Sequence, residues 1–317
     1  MGRSRSAVRI SDVLRDVARE LEPDPGAIAE ATRRARSLAD ELHRCDAEMF
    51  RVEKCSDHGS VHRGTCIRGF ADLDVLVELD PEALKTANGD ERSPSDTISR
   101  MARALQKRRG GLVALGSVSI RKQDHSVGVL YGGKHGFRID LVPAIRQPFG
   151  RLKIPERGSG RWIIAQPART LGRLQEARAC EPDTVAAIRL LKGWRRARGR
   201  NAPIPSFGIE TMVVGAVLGG QLGLESLVRG FFDEIARADA RRRMGLGGAS
   251  PGADPVTLID PVSKANLTVE IVSSQRGTLV ETCRRAQEAL DEVEARCADR
   301  EAKMAKAAAR RLFLKRR

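Results

Sequence analysis

Two aspartates lie two residues apart in Phe70-Ala71-Asp72-Leu73-Asp74-Val75-Leu76-Val77-Glu78-Leu79, a run that alternates and then turns apolar. Read as a strand, its period of two puts Asp72 and Asp74 on one face and Leu73, Val75 and Val77 on the other. Two carboxylates side by side resist ionising together, so the pair calls for a cation or a shared proton, and hard oxygen ligands suit Mg²⁺. Upstream, Gly59 and Ser60 offer a glycine that lets backbone N–H groups come close to a phosphate, with a hydroxyl beside it. Together these residues read as a nucleotide-triphosphate site. Alone, Gly-Ser carries almost no information and Asp-x-Asp only a little; the combination on an apolar strand is much sharper.

The phrase Gly59-Ser60-x-x-Arg63-Gly64-Thr65-x-Ile67-x-Gly69-x-x-Asp72-x-Asp74 resembles the polymerase-β-like nucleotidyltransferases, in the branch of cyclic GMP-AMP synthase, oligoadenylate synthase and the bacterial cyclic-oligonucleotide synthases. That family adds a third carboxylate from a later strand. Gly136-Phe137-Arg138-Ile139-Asp140-Leu141-Val142-Pro143-Ala144 fits it and supplies Asp140, with Arg138, Asp140 and Val142 on one face. The resemblance implies that Asp72, Asp74 and Asp140 are the catalytic residues and hold two Mg²⁺ or Mn²⁺ ions, while Gly59 and Ser60 seat the triphosphate of ATP or another NTP. It also implies that Lys192 and Ser206 touch the triphosphate and that Phe207 stacks on the base. Relatives usually carry Tyr at this last position, so a phenol's hydrogen bond is lost here and stacking remains. Read apart from the family, Phe207 opens a buried helix and Lys192 is one surface cation among Arg189, Arg195 and Arg196.

Two elements must position the aspartates: the strand Phe70 to Leu79, and a strand Phe137 to Val142 beside it. Further strands are expected at Leu112 to Arg121 and Ser126 to Tyr131, with a hairpin at Gly132 to Gly136. Helices are expected at Ile10 to Leu21, Ala27 to Met49 and Thr97 to Arg108 from their apolar spacing. The second of these corresponds, by resemblance, to a spine helix along the back of both lobes. Arg146 to Arg161 is rich in Pro, Gly and positive charge and reads as a loop or as the crossing between lobes. Beyond it the chain turns helical: Thr184 to Arg198, Phe207 to Leu218, Leu224 to Ala238, and one long helix from Gln275 to a basic end at Arg310 to Arg317. Asp239 to Asp254 reads as a basic, Gly-rich excursion, and Leu258-Ile259-Asp260-Pro261 resembles the family's closing element. The fold class is α+β: a bilobal polymerase-β-like sheet domain, residues 1–165, and a helical, oligoadenylate-synthase-like lobe, residues 166–317.

At 317 residues the chain is long enough for two domains. Its net charge of +15 favours polyanionic partners, which accommodates nucleotides and leaves room for a nucleic-acid or protein activator, although Lys and Arg are spread along the chain as in an ordinary solvated surface. No apolar segment follows the basic N-terminus as a secretory signal would, and the most apolar run, Met212 to Leu224, is too short and too broken to span a bilayer. A cytoplasmic protein with no membrane partner is expected, and a monomer. Six cysteines show no CxxC spacing. Cys55, His58, His62 and Cys66 crowd together in a way zinc could use, but the same segment must form the phosphate turn. His125 and His135 receive no role.

The resemblance implies two-metal synthesis of a cyclic di- or trinucleotide second messenger from NTPs, in bacterial antiphage signalling, with a downstream effector that binds the product. Two other functions stay open. One is a terminal nucleotidyltransferase acting on RNA, of the CCA-adding or toxin kind, whose basic loop and tail bind the acceptor. The other is a nucleic-acid sensor with a vestigial site, against which the presence of all three carboxylates argues.

Overall fold

The computed structural model describes residues 8–44, 51–69, 72–86, 88–107, 118–132, 137–243 and 273–314. In chain order its elements are α1 (Ile10–Glu20), α2 (Pro25–His43), β1 (Val52–His58), α3 (Gly59–His62), β2 (Asp72–Leu79), α4 (Pro94–Lys107), β3 (Val118–Lys122), β4 (Val127–Tyr131), β5 (Phe137–Arg146), β6 (Leu152–Glu156) and β7 (Arg161–Ala165). Six further helices follow: α5 (Pro167–Cys180), α6 (Thr184–Arg198), α7 (Ser206–Leu218), α8 (Leu224–Arg243), α9 (Ser273–Ala298) and α10 (Ala302–Phe313). They form two compact units, Pro23–Leu171 and Met1–Glu22 with Gly172–Arg317. The expected division placed residues 1–165 together. In the structure α1 instead packs with the C-terminal helices, because its apolar stripe of Val13, Leu14 and Val17 is buried there and Arg15 makes a two-pronged pair with Asp183 through Nε (3.0 Å) and Nη2 (2.8 Å).

In the unit Pro23–Leu171, the sheet runs in the order β1-β2-β5-β4-β3, with β6 and β7 continuing from β5. β2 and β5 are parallel and the other pairs antiparallel. One face of β2 and β5, carrying Leu73, Val75, Val77, Ile139 and Leu141, is buried in a core with Leu38 and Leu42 of α2 and Ile98, Met101 and Leu105 of α4. Burying each such side chain contributes about 1.5–3 kcal/mol. This is why a strand with carboxylates on its opposite face can still hold a fixed position. On that opposite face the acidic rows run into a small apolar patch of Leu76, Val142, Ala144 and Leu152.

Three expectations need correcting. Arg146 to Arg161 is not a loop: β6 and β7 form an antiparallel hairpin, anchored where Trp162 Nε1 donates to the Arg92 carbonyl. Val52–His58, for which no strand is expected, is β1. The long C-terminal helix breaks between α9 and α10, where Arg300 adopts a φ of 60°, a conformation that interrupts a right-handed helix. Residues 133–136 of the expected hairpin, most of the Asp239 to Asp254 excursion and the Leu258 to Pro261 element lie outside the described residues, as does the start of the expected aspartate-bearing strand at Phe70 and Ala71.

The helical unit centres on α6, whose Ile188, Leu191 and Trp194 are fully buried. Trp194 meets Phe231 and Phe232 of α8 edge to face, with centroids 6.0 and 5.0 Å apart, geometry that adds to the area burial of the rings. Gly193 permits a close crossing with α10, since a Cβ there would lie 2.6 Å from the Phe313 carbonyl oxygen.

Candidate active site

β1 ends at His58, which pairs across from Asp74 on β2, and the chain then turns at Gly59 into the single turn α3. The turn is possible because Gly59 takes a φ of +70°, open to glycine and costly for residues with a side chain. It also presses the Gly59 backbone onto the acid below: a Cβ at this position would lie 1.8 Å from Asp74 Oδ2. Thr65, fully buried, ties the far side of the turn through its N–H to the Ser60 carbonyl (2.9 Å). Beside β2, parallel β5 brings Asp140 into register with Asp74 and Arg138 into register with Asp72. The sheet thus gathers the three expected aspartates and the Gly59-Ser60 turn on one face.

The trio is organised around a guanidinium. Arg138 Nη2 donates to Asp72 Oδ2 at 3.0 Å, and its Nε lies 2.7 Å from Asp140 Oδ1. This second contact is an ion pair, since the Nε–H has no acceptor in line. Gln123 Nε2 donates to the same Asp140 oxygen at 3.0 Å, and Gln123 is fixed in turn by Ser126 Oγ on its Oε1 at 2.7 Å. Gly128, opposite Asp140 on β4, makes room for this layer: a Cβ there would meet Gln123 Nε2 at 2.6 Å and Arg138 Cδ at 3.1 Å. Arg138, Gln123 and Gly128 have no role in the sequence reading; only Arg138, two residues before Asp140 on the same face, left a signal there.

Asp72 is half exposed and Asp140 buried. Asp74 is pushed up from 3.8 to about 6, first by burial and then by the charges of Asp72 and Asp140, against the opposing pull of Arg63 and Arg138. Burial likewise raises Asp140, while Arg138 and Gln123 draw it back. A crowded, partly dehydrated acidic trio of this kind gains from a bound cation.

In the helical unit Lys192 is not among exposed cations: it is buried in α6 and its Nζ donates to Glu210 Oε1 of α7 at 2.5 Å. Ser206 opens α7, with Arg195 Nη1 3.4 Å from its Oγ, and Phe207 follows it half-buried. Among the described residues, the side chains whose ligand atoms all come within 4.8 Å of one another are Asp124, His125 and Glu156; neither Asp72, Asp74 and Asp140 nor Cys55, His58, His62 and Cys66 are gathered so closely. His125 there pairs through Nδ1 with the Pro155 carbonyl oxygen (2.7 Å). Burial pushes the Cys55 thiol up to about 11, which opposes the thiolate that zinc would need.

The acidic trio on a parallel strand pair, with a glycine turn set on its central member, sits in a sheet of the polymerase-β-like fold. Residues 9–177, more than half of the chain, match the family model of the Second Messenger Oligonucleotide or Dinucleotide Synthetase (SMODS) domain. The chain belongs to this family, the CD-NTases, and is a nucleotidyltransferase. It is 22% identical over 262 residues to the cyclic AMP-AMP-AMP synthase of Escherichia coli (strain MS 115-1), covering 78% of each chain. Its fold is similar to CdnC of E. coli MS115-1, solved with ATP (TM-score 0.70, 19% identity, 96% of each chain) and with a HORMA protein (TM-score 0.70, 17% identity, 97% of this chain and 96% of that one). It is also similar to the Bradyrhizobium diazoefficiens CD-NTase CdnG with GTP (TM-score 0.67, 17% identity, 95% of this chain and 98% of that one). No described helix is long and apolar enough to cross a membrane.

Proposed function

We propose that this protein is a cytoplasmic synthase that joins NTPs, ATP among them, into a cyclic di- or trinucleotide, and that a downstream effector reads the product in antiphage signalling. The observation that carries the reading is the register of Asp74 with Asp140 on parallel strands beneath the Gly59 turn. Asp72, Asp74 and Asp140 would hold Mg²⁺ or Mn²⁺, which when bound supplies positive charge to the triphosphate and the leaving pyrophosphate. The chemistry of the donor set supports this: three carboxylates rise from one face, two of them raised by burial and by one another's charge, and together they already draw in a guanidinium.

The chain's own residues do the rest. The Gly59 turn, with no side chain in the way, brings backbone and the Ser60 hydroxyl towards phosphate oxygens. Asp140, whose carboxylate is oriented by Gln123, takes the proton of the attacking ribose hydroxyl. In the helical unit we assign Lys192 and Ser206 to the triphosphate, with Glu210 orienting the Lys192 ammonium, and Phe207 to the base.

The Phe207 assignment predicts that Phe207→Ala raises the KM for NTP about tenfold or more, as loss of roughly 1–3 kcal/mol of stacking requires, with Phe207→Tyr near wild type. Melting temperatures measured alongside separate this from packing. An unstable alanine variant with unchanged KM in its folded fraction removes Phe207 from the site.

The function itself is tested by incubating the protein with all four NTPs, labelled, and Mg²⁺, with and without added RNA, treating with phosphatase and analysing the products by mass spectrometry. A phosphatase-resistant di- or trinucleotide is expected. Label transferred instead to added RNA would identify the RNA-tailing reading, and no product of either kind the sensor. The E. coli relative's name gives a cyclic trinucleotide and the solved neighbours hold ATP or GTP, which supports adenine and guanine nucleotides as donors. The neighbour solved with a HORMA protein supports an assay with and without a protein activator.

A further inference from the structure

Arg138 stands between the two outer carboxylates of the acidic trio. It lies on β5 two residues before Asp140, so both side chains rise from the same face, and it stands in register with Asp72 on β2. From there one guanidinium reaches both outer carboxylates: Nη2 to Asp72 Oδ2 at 3.0 Å and Nε to Asp140 Oδ1 at 2.7 Å. It rests on a prepared bed, because Gly128 beneath it has no Cβ, which would otherwise sit 3.1 Å from the Arg138 Cδ. Asp140 does not depend on it for orientation, being held separately by Gln123 and, through Gln123, by Ser126. An arginine cannot shed its proton to leave such a site; it must move, or keep its partners.

We infer that Arg138 is a resident counter-cation that competes with the divalent metal for Asp72 and Asp140, setting how weakly the nucleotide-free site binds metal. The inference rests on the assignment of Asp72, Asp74 and Asp140 as the metal ligands. Its physical basis is that two of the three carboxylates already satisfy one another's repulsion through a single guanidinium. A divalent ion gains only the difference between its own attraction and the ion pairs it displaces. The arrangement keeps three acids gathered in the resting protein while holding back ions that arrive without a triphosphate. A displaced Arg138 is then a bidentate donor with no carboxylate, suited to a phosphate oxygen brought in by the substrate.

The test is Mn²⁺ binding to the whole nucleotide-free protein, followed by calorimetry and by electron paramagnetic resonance of the free ion. Arg138→Gln is expected to tighten Mn²⁺ binding about tenfold or more, the scale of one nearby unit charge in a partly dehydrated site. Arg138→Lys keeps the charge without the fork and should fall between the two. The metal-free Arg138→Gln protein should melt lower than wild type, and Mn²⁺ should close the gap. A structural role alone would lower the melting temperature without tightening metal binding. Asp74→Asn serves as the reference. If it abolishes Mn²⁺ binding while both Arg138 variants bind no tighter than wild type, the competition is refuted and the metal site stands. If Asp74→Asn binds Mn²⁺ as wild type does, the metal site itself is misassigned and the inference falls with it.

Discussion

Asp74→Asn is expected to reduce product formation about a thousandfold or more while leaving the protein folded, and at neutral pH more stable than the parent. The loss follows from the central place of this carboxylate, in register with Asp140 and under the Gly59 turn; removing a group that acts on the reacting atoms costs on this scale. The gain in stability follows from its titration. Asp74 titrates at about 6 in the folded protein, against 3.8 ordinarily, chiefly because it is buried. Below pH 4 it is protonated folded and unfolded, and contributes nothing. Between about pH 4 and 6 the folded chain holds the extra proton, so stability falls as pH rises through this window, and above pH 6 the cost is fully present. That cost is at most about 3 kcal/mol, from a shift of roughly two pH units. Asparagine carries no charge to bury, so the variant should melt higher at pH 7.5 without metal and lose most of its advantage at pH 4. Thermal melts of both proteins across pH 4–8, in chelator, measure this directly. Equal melting temperatures throughout would mean that Asp74 is solvated and its charge costs nothing.

How much of this site the sequence disclosed depended on whether the signal was local. β2 and β5 could be read from the sequence because each is a period-two strand whose apolar side belongs to one core, Leu73, Val75 and Val77 on one and Ile139 and Leu141 on the other. The acids then fall on the remaining face by geometry alone. β1 could not, because Val-Glu-Lys-Cys-Ser-Asp-His lies at the edge of the sheet with only partial burial and lacks apolar alternation. Its pairing with β2, which delivers Gly59 to Asp74, is a long-range fact. The β6–β7 hairpin was hidden by the prolines and arginines of residues 146–161, which are tolerated because the strands lie beyond the main sheet path. Lys192 shows the same limit in the helical unit. Its neighbours along α6 are arginines, but its partner is Glu210, eighteen residues away on α7. Arg138 was placed on the correct face by its spacing, yet its bond to Asp72 spans 66 positions of sequence and exists only because β2 and β5 run parallel.

The antiparallel pairing of β1 with β2 makes Gly59 the position where a single methyl group should do most damage. Gly59→Ala is expected to lower turnover at least a hundredfold, the cost of displacing a reacting group by about 1 Å. The new Cβ would lie 1.8 Å from Asp74 Oδ2, 2.6 Å from its Cγ and 2.9 Å from its Cβ, so the clash is with the whole carboxylate and its stem. β2 is anchored by its buried face and cannot retreat, leaving the Asp74 carboxylate or the turn of α3 to move. A left-handed backbone for alanine adds about 1–2 kcal/mol of destabilisation, which must be separated from the clash. Gly64 provides the separation. It lies in the same turn with a φ of +71°, and a Cβ there would meet nothing within 4 Å. Gly64→Ala therefore carries the backbone cost without the contact, and should keep most of the activity while losing comparable stability to that cost alone. Turnover and melting temperature of the two variants, measured together, decide the matter. A hundredfold loss confined to Gly59→Ala locates the damage at Asp74. Equal losses in both would make the turn's backbone, and not its closeness to the acid, the feature that catalysis requires.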